Sequence, residues 1–472
     1  MKNEEWEMKP SEQQQPSTNE GQVTPAAVGA HSSFFISHFS FISVNICRLI
    51  LAGVLIFSGF VKAVDPLGTQ YKIHDYLTAL SLERLLPDWV TLTLSVGLSA
   101  LEFTLGICLL FVIQRRLVTR LTVVLMIIMT LLTLWLAVAN PISDCGCFGD
   151  AVHLTNWQTF WKNILLLSCA VVAALWPLRM MRLISETNQW IVVHYTILFI
   201  VFVSLYCLYT LPLFDFRPYH VGTDIAEAMA IPDDAEQPEF ETTFIMEKDG
   251  QRKEFTLDDY PDSTWTFVDA RTVQTRQGFV PPIHDLTMED AEGNDLTEDI
   301  ISRRGYTFLL VAPHLEAASD RHFGDIEQLY EYAQEHRYPF YCLTASGNAA
   351  RMEWQDRTGA EYPFLTTDEV TLKTIVRSNP GLLLLKDGVI QQKWSHNALP
   401  VIEQGQTSYP LEQQPFGQLA TTSVTRKVVS LFLWFVLPLF LLTLADRTWA
   451  WTHWVRRKTM KSEARKTASE QP

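Results

Sequence analysis

Six long apolar runs organise this chain. They lie at Phe41–Val64, Trp89–Ile113, Leu117–Ala139, Trp157–Leu178, Trp190–Leu211 and Val428–Ala445. A helix needs about 20 residues to cross the hydrocarbon of a bilayer, so the pattern predicts six transmembrane helices. Residues 1–40 before them are polar and rich in Gln, Ser, Pro and Glu. That stretch reads as a disordered cytoplasmic tail, without the basic-then-apolar order of a cleavable signal. The first run is therefore expected to be an uncleaved anchor.

From Leu213 to Thr425 the pattern changes to short apolar runs between acidic turns. Residues 213–278 carry strand-like pieces at Gln251–Leu257 and Thr264–Asp269, a β-rich segment of unassigned fold. Residues 279–400 are more regular. Phe279–Leu286 and the turn Glu292-Gly293-Asn294-Asp295 predict a leading hairpin, and Tyr306–Ala312 an apolar strand. Glu316–Gln334 follows as a helix, Pro339–Thr344 as a strand, and Asn348–Gln355 and Glu369–Arg377 as two more helices. Gly381–Leu385 and Val389–Trp394, joined by Lys386-Asp387-Gly388, predict a terminal hairpin. This order implies a mixed sheet covered by helices. Residues 401–425 read as a Gln- and Pro-rich linker. Residues 446–472 read as a basic cytoplasmic tail after an interfacial belt of Trp449, Trp451 and Trp454.

Charge gives the membrane part an orientation. The 472 residues carry a net −15, yet residues 213–425 hold 36 Asp and Glu against 16 Lys and Arg, leaving +5 for the rest. An acidic domain on a slightly basic membrane part argues against nucleic-acid binding. Arg115, Arg116 and Arg120 sit between spans two and three, and Arg179 and Arg182 between spans four and five. Arg456, Arg457, Lys458, Lys461, Arg465 and Lys466 follow span six. Basic residues favour the cytoplasmic side. Both termini are therefore expected inside, and the Asp65–Asp88 loop, the loop near residue 145 and the acidic domain outside. In a bacterium that is the periplasm, where disulfides persist.

The loop Asn140–Asp150 holds two of the seven cysteines, Cys145 and Cys147, one residue apart. Their Cα atoms can be at most about 7 Å apart, and about 5.5 Å if the chain bends, inside the disulfide range. Gly146 permits the bend. A ring so small suits thiol exchange better than stapling, because closing it removes little chain entropy. Asp144, Cys145, Cys147, Asp150 and His153 also offer metal ligands within ten residues, so a redox pair, a metal loop and an inert loop all remain open. Cys47, Cys108 and Cys169 lie in spans, Cys207 near the outer end of span five, and Cys342 in a strand. These read as small buried hydrophobes.

Span one adds Arg48, about 10 Å inside the membrane edge at 1.5 Å per residue. A charge there calls for a partner, and Glu102 in span two is expected to pair with it. Gly53 and Gly59 predict close helix contact, and Lys62 is expected to snorkel to head groups.

Arg48, Gly53, Gly59, Lys62 and Pro66, together with the loop Asp144-Cys145-Gly146-Cys147-Phe148-Gly149-Asp150, resemble the DoxX family of four-helix membrane proteins, and more closely its MauE branch. The resemblance covers about residues 41–180. It implies a redox-associated bundle, since that branch is associated with maturation of methylamine dehydrogenase, a disulfide-rich periplasmic enzyme. Residues 279–400 resemble the thioredoxin fold, in its TlpA-like and peroxiredoxin-like branch, through Asn379-Pro380-Gly381-Leu382-Leu383-Leu384-Leu385-Lys386-Asp387-Gly388. That likeness implies a cis Pro380. Where the family has its C-x-x-C, this chain has Ala312-Pro313-His314-Leu315-Glu316-Ala317-Ala318-Ser319, so the domain cannot exchange disulfides itself. There His314 and Glu316 are either an acid/base pair or a solvated helix start, with Glu316 at the positive end of the dipole.

The fold class expected is an all-α membrane bundle, with two spans beyond a four-helix core, joined to an α/β thioredoxin-like periplasmic domain. The function expected is thiol–disulfide exchange by Cys145 and Cys147 with a periplasmic partner, at an inner membrane. The alternative is a scaffold or maturation factor that only binds. A quinone in the bundle stays an open cofactor question.

Overall fold

The computed structural model describes residues 26–82, 85–142, 144–181, 183–236, 239–248, 251–256, 259, 265–276, 278–402, 408–420 and 423–469. The first 25 residues of the expected tail, Arg182 and residues 403–407 of the expected linker lie outside them. In chain order, the membrane part comprises α1 (Ala26–Val64), α2 (Pro66–Ala79), α3 (Asp88–Phe111), α4 (Arg115–Ala139), α5 (Asn156–Leu175) and α6 (Gln189–Tyr209). Of these α2 alone is too short to span. With a last helix near the C-terminus, six helices among the described residues are long and apolar enough to cross a membrane.

Two helix ends depart from expectation. The first helix starts at Ala26, straight after Pro25, and so takes in part of the predicted tail. The last runs from Val424 to Ser469, so the predicted basic tail is helical. After Pro438 it meets no Gly or Pro up to Ser469, and the Ala, Glu, Lys and Arg there are good helix formers.

Lipid tails are as apolar as Leu, so close packing rather than hydrophobic exclusion holds spans together. α1 lies against α3, α5 and α6, and Gly59 makes its closest approach. A Cβ there would fall 2.4 Å from the Phe103 backbone nitrogen. Gly106 of α3 answers it, since a Cβ there would sit 2.8 Å from the Ile56 nitrogen. Gly53 was expected to act likewise but faces open space. Six residues before Gly59, it lies on a different face of a helix with 3.6 residues per turn.

Beyond α6, after the short α7 (Ile225–Met229), come β1 (Glu239–Lys248), β2 (Gln251–Phe255) and β3 (Thr266–Arg276). These form an antiparallel sheet in the order β2-β1-β3; β2 and β3 fall on the two strand-like runs, whose Leu257 and Thr264 lie outside the described residues, while β1 was not expected. The second sheet follows α8 (Thr297–Ile301). Its elements are β4 (Tyr306–Val311), α9 (Phe323–Glu335), β5 (Phe340–Thr344), α10 (Asn348–Thr358), β6 (Phe364–Thr366), α11 (Glu369–Ile375), β7 (Gly381–Lys386) and β8 (Val389–Ser395); α12 is the last helix. The strand order is β6-β5-β4-β7-β8. β4, β5 and β6 run parallel, while β7 and β8 are antiparallel additions.

Every residue of β4 is buried, because apolar layers cover both sheet faces. Alternation sends Phe308 and Leu310 towards Ile326 and Leu329 of α9. It sends Leu309 and Val311 towards Leu372 and Ile375 of α11.

Three local expectations fail here. Residues 279–295 form no hairpin, only isolated bridges from Glu289 to Asp295 and to Thr366. α9 begins at Phe323 rather than Glu316, after a single 3-10 turn at Leu315–Ala317. The expected linker folds back on the sheet: Leu411 is fully buried, and Tyr332 Oη donates to the Tyr409 carbonyl at 2.7 Å. The Asn379–Pro380 bond is cis, as expected.

Hydrogen bonds and an ion pair fasten the α/β part to the end of α6. Ser395 Oγ donates to the Tyr209 carbonyl at 3.0 Å. Just after α6, Asp215 accepts from Arg217 and Lys393, each at 2.8 Å. Burial pushes the Asp215 carboxyl up, but the charges of Lys393 and Arg217 outweigh it and hold it at about 2.

Candidate functional site

The loop between α4 and α5 is held from within. Asn156 Nδ2 donates to Asn140 Oδ1 at 2.9 Å and to the Ile142 carbonyl at 2.7 Å. Thr155 and Gln158 close a capping box that starts α5. Gly146 and Gly149 take positive φ, +58° and +52°, so the chain can turn tightly there. The turn brings Cys145 and Cys147 together sulfur to sulfur, with Cα atoms 5.5 Å apart. Cys145 is buried and Cys147 half-exposed.

A buried polar network lies beneath this pair. Lys62 Nζ is 2.7 and 2.8 Å from the two carboxylate oxygens of Glu102, and both side chains are almost fully buried. Ser58 Oγ lies 2.7 Å from Glu102 Oε2 and 2.8 Å from the Cys147 carbonyl, so its one proton serves either acceptor. Lys62 therefore does not snorkel, and Glu102 does not pair with Arg48. Arg48 instead donates to the Leu110 carbonyl at 3.1 Å, near the C-terminal end of α3. Arg48 and Lys62 are 14 residues apart, about 21 Å along a helix, and only Lys62 reaches the level of Glu102.

A small cavity of about 30 Å³ joins the network to the loop, lined by Ser58, Lys62, Glu102, Cys147, Lys162 and Asn163. Lys162 Nζ stands 4.2 Å from the centre of the Phe148 ring, within cation–π range.

α2 closes the loop from the other side. Pro66 opens the helix, and Asp65 caps it by accepting from the Gly68 N–H at 2.9 Å. Lys72 pairs with Asp144 at 3.0 Å, and its methylenes lie against Gly146. Tyr76 Oη donates to the Cys145 carbonyl, and burial pushes its phenol pKa up.

The α/β part reaches the same place through Arg377, three residues before Pro380. Its guanidinium is 2.9 Å from Asp65 and 3.2 Å from Asp150, over the Tyr71 ring. Burial pushes the Asp65 carboxyl up, but Arg377 and Arg217 outweigh it and hold it below the usual carboxylate range. Beside this bridge a cleft of about 830 Å³ runs between Gly146, Gly149 and His153 on one wall and His314, Lys373 and Arg377 on the other.

His314 and Glu316 do not form the pair that their spacing suggested. His314 Nε2 lies 3.0 Å from Glu369, while Glu316 accepts from Ser346 at 2.7 Å, away from any α9 dipole. Asn379 Nδ2 donates to the His314 carbonyl at 2.8 Å, which sets His314 beside the cis proline. His153, two-thirds exposed, lies 3.6 Å from Asp144. Among the described residues no group of three or more His, Cys, Asp or Glu is placed to hold a metal ion. Cys342 is fully buried, and burial pushes its thiol pKa up.

Ser58, Asp65, Lys162 and Arg377 escaped the sequence reading. Lys162 and Ser58 follow no motif, and Arg377 meets its partners across more than 200 residues of chain.

Residues 40–176 match the family model for Methylamine utilisation protein MauE. That range takes in α2 to α5 and most of α1, together with the Cys145–Cys147 loop, so the bundle of this multi-pass membrane protein is MauE-like. Residues 240–277, which cover the three-stranded sheet, match a domain of unknown function, DUF8463. No curated protein and no solved structure matches the chain.

Proposed function

We propose that this chain is an inner-membrane thiol–disulfide exchange protein whose redox pair is Cys145 and Cys147. Both termini are cytoplasmic, and the loop and residues 213–425 are periplasmic. The observation that carries the reading is the setting of the pair. Two cysteines one residue apart, at the outer end of a helix bundle, are packed between buried charges and a tethered α/β domain. In exchange, a thiolate on one partner attacks a sulfur of the other's disulfide. The S–S bond breaks, its electron pair leaves on the second sulfur, and a mixed disulfide links the two proteins. The remaining thiol of the attacking protein then displaces it. One protein gains a disulfide while the other takes up two electrons and two protons.

Residues 279–400 are a thioredoxin-like domain in this reading. The parallel β4, β5 and β6, the antiparallel β7 and β8, and cis Pro380 ahead of β7 support that. Lacking the C-x-x-C, the domain binds the partner and leaves the chemistry to the loop. Its Arg377 bridge to Asp150 supports a shared site.

Expressed in a bacterial membrane, variants with one loop cysteine changed to Ser should accumulate a mixed disulfide with a periplasmic thiol protein, seen as a reducible mass shift. Absence of any such species from both Cys145→Ser and Cys147→Ser would refute the exchange reading.

A further inference from the structure

The charges around the loop do not cancel evenly. The acids near the pair are all engaged by cations: Glu102 by Lys62 at 2.7 Å, Asp144 and Asp75 by a shared Lys72 at 3.0 and 4.0 Å, and Asp65 and Asp150 by a shared Arg377 at 2.9 and 3.2 Å. His153 lies beside Asp144, and Tyr76 binds the Cys145 carbonyl as a neutral donor. Lys162 has, among the described residues, no carboxylate within ion-pair distance. It stands over the Phe148 ring and shares with Lys62, Glu102 and Cys147 a cavity too small for more than a water molecule. Two lysines and one glutamate thus face Cys147, leaving one uncompensated positive charge. Cys145 does not line that cavity. Its neighbours on the α2 side are Tyr76 and a Lys72 already engaged by Asp144.

Resting on the exchange reading, we infer that Lys162 makes Cys147, not Cys145, the sulfur that carries the thiolate and meets the partner. A thiolate is the nucleophile and the better leaving group, and a nearby lysine favours it over the thiol. Exposure points the same way, because Cys147 is half-exposed and Cys145 buried. In the reduced protein, Cys147 S⁻ attacks a partner disulfide, and a Cys147–partner bond forms as the partner's second sulfur leaves with the electron pair. Cys145, losing its proton to water, then attacks Cys147 and releases the partner thiolate, which is protonated. The pair is oxidised by two electrons and the partner disulfide reduced by two. The reverse direction uses the same sulfurs. Ser58, when it donates to the Cys147 carbonyl at 2.8 Å, seats the loop on the charged cavity.

The test uses the full chain in detergent, reduced with excess dithiol, with iodoacetamide labelling followed against pH by peptide mass spectrometry. The readout is thiol reactivity, not exchange. In the variants Cys145→Ser and Cys147→Ser, each with one loop thiol left, Cys147 should label with a midpoint at least about 1 pH unit below that of Cys145. Lys162→Met should raise the Cys147 midpoint by about 1–2 pH units and leave Cys145 unmoved, while Lys162→Arg should restore it. Equal midpoints for the two cysteines, or a Cys147 midpoint indifferent to Lys162→Met, would overturn the inference. If Lys162→Met does not fold, the comparison of the two loop-cysteine variants decides alone. A shifted Cys147 without any trapped partner in cells sinks the exchange reading and keeps the thiolate assignment; a trapped partner with unshifted midpoints does the reverse.

Discussion

Removing one member of the Lys62–Glu102 pair should cost far more than removing both. Among the described residues, Lys62→Met leaves Glu102 with Ser58 as its one hydrogen-bond donor and with Lys162 across the cavity but outside ion-pair distance, in a site where both side chains of the pair are almost fully buried. Surface pairs are worth about 0–1 kcal/mol, but a buried charge stripped of its partner costs about 3–5 kcal/mol. The 2.7 and 2.8 Å contacts and the burial place this pair in the second regime. Glu102→Gln alone should cost a similar amount, because Lys62 then keeps its charge with no counter-ion at hand. In Lys62→Met/Glu102→Gln both charges are gone, and Gln can still accept from Ser58. The double variant should therefore recover about 2 kcal/mol or more relative to the sum of the singles, a coupling typical of contacting residues. The assay is unfolding of detergent-solubilised protein, followed by labelling of the buried Cys108, Cys169 and Cys207 as they become exposed. Additive losses would show that the two side chains do not form a pair, and the account of the cavity beneath Cys147 would fall with it.

Gly59→Ala should deplete folded protein, because its Cβ would meet the backbone of α3 at 2.4 Å, whereas Gly53→Ala should be neutral or stabilise by up to about 1 kcal/mol through helix propensity; equal yields and melting of the two would refute the close approach at Gly59. Asp215, held at about 2 against an ordinary 3.8, contributes stability that is fully present above about pH 4 and is lost as pH falls through about 2. At about 1.4 kcal/mol per unit this is roughly 2 kcal/mol, so Asp215→Asn should be less stable than the parent at pH 6, and the gap should close towards pH 2. A gap constant with pH would contradict it. Arg377→Lys keeps the charge but cannot span Asp65 and Asp150 with a planar fork. It should speed alkylation of reduced Cys147 several-fold, and an unchanged rate would mean that the bridge does not restrain the loop.

Much of this protein was determined locally. Six spans could be read because twenty apolar residues have few stable options outside a bilayer. The bend at Gly146 could be read because two cysteines one residue apart have so little room. β4, β7 and β8 could be read because alternating or continuous apolar runs between turns demand a sheet. The partner of Glu102 could not. Arg48 and Lys62 sit on one helix, and the choice between them depends on how far α3 slides along α1, which the Gly59–Gly106 approach sets in three dimensions. The same holds for α9, whose predicted first turn is irregular because Leu315 and Glu316 find Ser346 across the fold. Lys162 and Arg377 give no local sign of a role, since a charge has no period and meets its partner wherever packing brings it. Sequence decided which residues must leave water and where the chain could turn; tertiary structure decided which charges share a cavity, and so which cysteine faces them.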